Sequence, residues 1–381
     1  MKKTLAAVAV LGAFAGSALA ADVQLYGIVD TGVGYTHTDA DGLLDNGVDQ
    51  SKDSFSMKSG QASGSRWGIK GTEDLGNGVT VGFILEDGFD SDDGTEDSTG
   101  IMFNRESSLF VEGGFGKFAM GRIGSINNGQ SSWAKVGMIS AFGTSDWGGY
   151  SANVGNTMSL AGQWDNMIAY QTPDFAGFKV YAQYGMGSNN HENESSSDRY
   201  YALGATYNNG PLAGYFAIDS INYESVVNKD VDDSLTVTLG GSYDFEAVKV
   251  YLGAQYFDEV KASSLKGVTD DFADWNDKTD KVKGYALTLS ADAPVAGGKA
   301  MFGVGYFDAE QADSVKDNLG EKYDFSRFVV SVGYDYPFSK RTDIYAVASY
   351  MQDSIEDKTD AKEFDSDPSA YAVYVGLRHR F

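Results

Sequence analysis

Tyr371-Ala-Val-Tyr-Val-Gly-Leu-Arg-His-Arg-Phe381 alternates without interruption. Tyr371, Val373, Val375, Leu377, His379 and Phe381 fall on one face, and Ala372, Tyr374, Gly376, Arg378 and Arg380 on the other. A period of two is the signature of an extended strand, whose successive side chains point to opposite faces. Val79-Thr-Val-Gly-Phe-Ile-Leu85 repeats the pattern, with Val79, Val81, Phe83 and Leu85 opposite Thr80, Gly82 and Ile84. The mixed face carries glycine, tyrosine and arginine, which a packed core does not accept in such numbers. The apolar row is therefore the exterior and the mixed row the interior, the inside-out arrangement of a strand that faces lipid.

Working outward from these two segments, strands are expected to begin near Val23, Ser65, Val79, Arg105, Gly116, Asn166, Phe178, Arg199, Ala213, Ser234, Val248, Val282, Lys299, Arg327, Thr342 and Tyr371, sixteen in all. Each has about 8 to 12 residues, the length a tilted transmembrane strand requires. Their connections alternate strictly. Short turns such as 73–78, 112–116, 172–177, 208–211, 244–246, 294–298 and 337–341 are separated by long polar segments at 38–64, 88–104, 123–165, 188–198, 220–233, 258–281, 308–326 and 352–370. A sheet with tight turns at one end and loops at the other, closed so that no backbone group meets lipid unpaired, is a 16-stranded antiparallel transmembrane β-barrel. At that strand number the lumen holds water. A β-propeller or tandem sandwich would not produce the short–long rhythm.

Composition agrees. The 381 residues include 47 glycines, 22 Phe, 23 Tyr, 5 Trp and no cysteine. Cysteine-free chains offer neither thiolate metal sites nor disulfides. A formal charge of -25 opposes nucleic-acid binding. At the N-terminus Lys2 and Lys3 precede the apolar run Leu5 to Phe14 and the Ala18-Leu19-Ala20 cleavage pattern. Residues 1–20 are thus expected to be an export signal and 21–381 the barrel.

Several segments carry a family resemblance: Val23-Gln-Leu-Tyr-Gly-Ile-Val-Asp30, Ser65-Arg-Trp-Gly-Ile-Lys-Gly-Thr-Glu-Asp-Leu-Gly-Asn-Gly78, Phe103-Asn-Arg105, Phe115-Gly-Lys-Phe-Ala-Met-Gly-Arg122 and Val375-Gly-Leu-Arg-His-Arg-Phe381. Together they resemble the Gram-negative general porins of the β-proteobacterial type, across the whole mature chain. The resemblance implies an outer-membrane homotrimer of 16-stranded barrels for passive diffusion of small hydrophilic solutes and ions. It also implies a third long loop folded into each lumen as a constriction. Segment 123–165, the longest, is suited to that place: it carries Trp133, Met138, Ile139, Phe142, Trp147 and Tyr150 among Gly, Ser and Asn. A loop exposed to water would not need them, whereas one packed on an inner wall would. A subunit contact outside the barrel is the alternative use.

Candidate pore-lining charges follow from alternation and from the resemblance. Trp67 and Ile69 take the lipid face, so Arg66 and Lys70 point inward; an arginine facing lipid at midplane would cost about 2–4 kcal/mol. The resemblance places Arg66 and Arg105 on the basic side of the constriction and Arg122 on the wall. Alternation conflicts with two of these. Arg105 shares parity with Leu109 and Val111, which makes Glu106 the inward residue unless a bulge intervenes. Arg122 shares parity with Phe118 and Met120. Gln163 stands where related porins often have a further lumen arginine, weakening the basic wall. On the loop side Asp146 is the clearest carboxylate, with Asp165 at the strand entrance and Lys135 opposed to them. Opposed charges across a narrow aqueous gap favour polar solutes.

Asp87, Asp90, Asp92, Asp93, Glu96 and Asp97 form an acidic outer segment. It lacks ordered calcium-loop spacing, so no cofactor is expected, Ca2+ at the acidic loops being the one weak candidate. Acidic loops at the mouth predict mild cation preference, strongest at low salt. Of the three histidines, His37 and His191 are placed at loop starts and His379 on the lipid face, so no catalytic constellation is expected. Terminal Phe381 resembles the signal read by the barrel-assembly machinery and also suits an aromatic girdle beside lipid and lipopolysaccharide. Two other uses of such a barrel are weighed: a surface adhesin with a plugged lumen, and a sugar-specific porin with Trp133, Trp147 and Tyr150 as an aromatic track.

Overall fold

A computed structural model describes residues 22–41, 51–98, 100–187, 197–223, 232–261, 267–268, 281–314, 323–357 and 364–381. The expected export signal, His191 and parts of the outer loops lie outside the described residues. The described chain is one antiparallel sheet closed on itself. The first strand, β1 (Asp22–Asp39), pairs with the last, β18 (Ser369–Arg380), from Ile28↔Arg380 to Asp39↔Ser369.

Eighteen strands make sixteen staves. The lower half of β1 pairs with β3 (Arg66–Gly76) and its upper half with β2 (Ser51–Ser59), so β2 and β3 form one stave interrupted at residues 60–65. Likewise β17 (Phe364–Ser366) and β18 share the edge of β16 (Thr342–Asp357). The remaining staves are β4 (Val79–Gly88), β5 (Glu106–Gly113), β6 (Gly116–Gly124), β7 (Gln163–Gln171), β8 (Phe178–Gly185), β9 (Arg199–Asn209), β10 (Leu212–Asn222), β11 (Leu235–Asp244), β12 (Lys249–Lys261), β13 (Lys281–Val295), β14 (Gly298–Gln311) and β15 (Tyr323–Pro337). Segment 51–59, read as loop, is strand, because it continues the stave by pairing with β1 from Thr31↔Ser59 to Asp39↔Ser51; and His37 lies within β1, stacked on Tyr371 and bonded to Asp53 at 2.8 Å, rather than opening a loop. Staves also exceed the expected length, reaching 18 residues in β1.

The inside-out reading is visible residue by residue in β18. Tyr371, Val373, Val375 and Leu377 are 43–50% exposed, whereas Ala370, Ala372, Tyr374 and Arg378 are buried. Among the described residues no helix is long and apolar enough to cross a membrane; the strands supply the crossing.

The core of the molecule lies inside the barrel. Residues 125–162, between β6 and β7, turn inward, and Trp133, Ile139, Phe142 and Trp147 are no more than 5% exposed. The wall receives them at glycines. A Cβ on Gly253 would stand 2.7 Å from the Ile139 Cδ1, and one on Gly303 would stand 3.0 Å from the Phe142 ring. Hydrogen bonds tie the loop down along its length. Ile126 N–H donates to Gln183 Oε1 (2.7 Å), Ala141 N–H to Ser290 Oγ (2.9 Å), Ala152 N–H to Ser331 Oγ (2.8 Å) and Ser159 N–H to Gln255 Oε1 (2.7 Å).

Candidate functional site

Between the inserted loop and the β1–β5 wall runs an opening of about 770 Å3. Arg66, Lys70, Glu86, Arg105 and Glu106 line it from the wall, and Gln130, Ser131, Ser132 and Asp146 from the loop. The structure thus brings Arg66, Lys70, Arg105 and Asp146 to one aqueous gap.

Glu86 organises the wall side. Its carboxylate accepts from Arg105 Nε at 2.8 Å and from the Tyr26 hydroxyl at 3.0 Å, and lies 3.6 Å from Arg66 Nε. Lys70 Nζ sits 5.1 Å from the centre of the Tyr26 ring. The reading of Val79–Leu85 stopped one residue short of this carboxylate. Carrying the same parity from Ile84 to Glu86 points it inward.

The parity conflict at Arg105 is resolved by the chain's entry into β5. Phe103 adopts a left-handed backbone (φ 58°), and the ladder begins only at Glu86↔Glu106. Arg105 precedes the ladder, so strand alternation does not govern it, and both Arg105 and Glu106 reach the opening. Glu106 also fixes the loop, accepting the Ser132 N–H at 2.8 Å and its hydroxyl at 3.0 Å.

Arg122 and Gln163 do not line the opening. Arg122 keeps the parity of Met120, pairs with Asp165 and donates from Nε to the Asn104 carbonyl at 2.8 Å. A register shift beside it, with Asn166 at φ 52°, accommodates that pair. Gln163 lies within β7, not ahead of the stave, and donates to Gln130 Oε1 at 2.7 Å, one layer behind the surface.

The constriction has a rigid frame. Residues 60–65 fold inward between β2 and β3, where Asp30 accepts the Ala62 and Ser63 N–H groups (2.9 and 2.7 Å) and the Tyr345 hydroxyl (2.6 Å). Arg378 donates to Asp343 and Asp335 at 2.9 and 3.1 Å and to Ser63 Oγ at 2.8 Å. Gln61, held there, clasps the tip of the inserted loop: its carbonyl accepts the Trp147 N–H (2.7 Å) and its Oε1 the Gly148 N–H (2.9 Å). Trp147 donates Nε1–H to the Phe142 carbonyl at 2.7 Å. Trp133 and Trp147 are therefore buried in the loop's seat and are unavailable as an aromatic track.

A barrel narrowed from within by a wall-seated loop, with charges facing one gap, is the architecture of a diffusion channel. The family model described as Gram-negative porin matches residues 6–356. The chain belongs to the Gram-negative porin family. An outer membrane porin protein of Bordetella pertussis is 34% identical over the whole of both chains, and outer membrane porin protein 32 of Delftia acidovorans is 28% identical over the same extent. Among solved structures, the anion-selective porin from Comamonas acidovorans is similar at a TM-score of 0.66 and 25% identity, covering 95% of this chain and all of that one. The porin is thus an outer-membrane channel of a Gram-negative bacterium.

In the outer segment, Asp93 accepts both the N–H (2.8 Å) and the hydroxyl (2.7 Å) of Thr95, which hold its carboxyl below the usual range. Burial and the neighbouring Asp97, Asp92 and Asp93 push Asp90 up. Among the described residues no group of three or more His, Asp or Glu is arranged to hold a metal. His379 Nδ1 is 2.9 Å from the Thr342 hydroxyl, and His37 is occupied by Asp53 and Tyr371.

Proposed function

We propose that this porin is a homotrimeric, non-enzymatic, cofactor-free channel for passive diffusion of small hydrophilic solutes and ions, exported by residues 1–20. In this reading Arg66, Lys70, Arg105, Glu86, Glu106 and Asp146 set its passage, and Phe381 addresses the barrel-assembly machinery in a membrane of lipid and lipopolysaccharide. The observation that carries it is the inserted loop, seated on wall glycines yet leaving an opening of about 770 Å3 with both signs of charge around it.

Selectivity is expected to differ from that of the anion-selective neighbour. Glu86 offsets the positive charge of Arg66 and Arg105, Arg122 is spent on Asp165, and Gln163 carries no charge. Mild cation preference is the balance, reinforced by the acidic outer segments. The test is insertion of the mature protein into a planar bilayer under a salt gradient. Conductance steps in groups of three with a cation-leaning reversal potential are expected. Folded protein that gives no steps would instead support a plugged, adhesive barrel.

A further inference from the structure

The inward fold at residues 60–65 touches both sides of the constriction. On the basic side, Arg66 donates from Nη1 to the Gly64 carbonyl at 3.0 Å, and a Cβ on Gly64 would stand 2.9 Å from Arg105 Nη1. On the loop side, Gln61 accepts the Trp147 N–H at its carbonyl and the Gly148 N–H at its Oε1. The Gln61 amide donates back to the Ser59 carbonyl at 2.9 Å, which fixes the side chain in that orientation. Gln61 and Gly64 line the same opening as Asp146, the residue just before the clasped pair.

The tip that Gln61 holds is kept in a backbone state its sequence does not favour. Trp147, Gly148, Gly149 and Tyr150 are left-handed in succession, at φ 49°, 98°, 92° and 42°. Glycine enters that region freely, but tryptophan and tyrosine do so at a cost and stay only where surrounding contacts over-determine them. Wall contacts fix the ring and the backbone from behind. Trp147 meets Tyr345 edge-on with ring centres 5.4 Å apart, and a Cβ on Gly148 would stand 2.6 Å from the Tyr374 Cβ. From the lumen side, the first two N–H groups of the left-handed run are both given to Gln61. The third, on Gly149, donates to the Asp146 carbonyl at 3.1 Å, closing a turn whose first residue is Asp146. Loss of the Gln61 acceptor therefore loosens the turn that presents Asp146 to the opening.

We propose that Gln61 is a positioning residue for charge selection: through the loop tip it sets where Asp146 stands across the gap from Arg66 and Arg105. The inference rests on the channel reading for its effect on ions, but the positioning is read without current. Gln61→Met keeps the length of the side chain and removes the Oε1 acceptor. Hydrogen exchange in the mature protein should then run about tenfold faster at amides 147–150, with strand amides unchanged. Gln61→Glu, which keeps an acceptor for Gly148, should retain the protection. In a bilayer, Gln61→Met should shift the cation-to-anion permeability ratio about twofold toward anions, and Asp146→Asn should shift it further the same way. In the Asp146→Asn background Gln61→Met should add nothing to the ratio, because its effect passes through that carboxylate. Unchanged exchange at the tip overturns the positioning, and an equal shift of the ratio with and without the Asp146 carboxylate overturns the link to selectivity. Folded protein with faster tip exchange but no conductance upholds the positioning and removes the channel reading.

Discussion

In the proposed channel Glu86 is expected to set the charge of the constriction, because one carboxylate stands against two guanidinium groups. Its exchange for glutamine keeps the shape and the Tyr26 contact while exposing both positive charges to the gap. Two unit charges 4 Å apart in water interact by about 1 kcal/mol, so Glu86→Gln should shift the cation-to-anion permeability ratio about fivefold toward anions. Reversal potentials of the wild-type and variant channels in one salt gradient check this; an unchanged ratio would place the selective step elsewhere. Lys135 gives the pH counterpart. Its ammonium titrates near pH 8, held down by burial, so it is charged at pH 7 and mostly neutral at pH 9. Cation preference should therefore rise between pH 7 and 9, and Lys135→Gln should show the pH 9 behaviour throughout. Glu86 was within reach of the alternation in its own strand, whereas Arg105 was not: a left-handed Phe103 takes it out of the strand to which alternation applies.

At the scale of elements, the inserted loop and its glycine-paved wall form one interlocking unit. The barrel backbone is fixed by ladder hydrogen bonds on both sides, so any conflict at the seat is relieved by the loop, which can only move into the lumen. A Cβ on Gly253 would lie 2.7 Å from Ile139, 2.8 Å from Thr288 and 3.1 Å from Met158. Gly253→Val is expected to cost about 1–3 kcal/mol by overpacking and to narrow the channel. The variant should fold to the same sheet content by circular dichroism, with a lower single-channel conductance. Unaltered conductance would mean that the loop does not set the channel width. The loop's role was legible because Trp133, Ile139, Phe142 and Trp147 have no reason to be in a water-exposed segment. Its partners were not legible. Gln61, which clasps the loop tip, sits in a short inward fold that interrupts a stave, and nothing in the local pattern at 60–65 ties it to residues 147–148.

For the whole molecule, period-two alternation and the rhythm of short and long connections carried the architecture, since each stave is read locally and closure follows from backbone pairing in lipid. Charge balance across the lumen is a three-dimensional property, and it depends on which arginine meets which carboxylate. Two fields then act on a permeating ion: the opposed charges at the constriction and the negative potential of a chain with formal charge -25. Salt separates them. The screening length is about 10 Å at 0.1 M and about 3 Å at 1 M, so charges in the outer segments act on the mouth only in dilute salt, while groups lining a narrow gap stay within reach of the ion in both. Cation preference should accordingly fall as salt rises from about 0.1 to about 1 M. The preference left at high salt should respond to Glu86→Gln, and the part lost should respond to neutralising Asp92 and Asp93 in the outer segment, which do not line the opening. Reversal potentials for both variants at the two concentrations check the division. A selectivity independent of salt in the wild-type channel would assign the whole effect to the constriction and none to the acidic mouth.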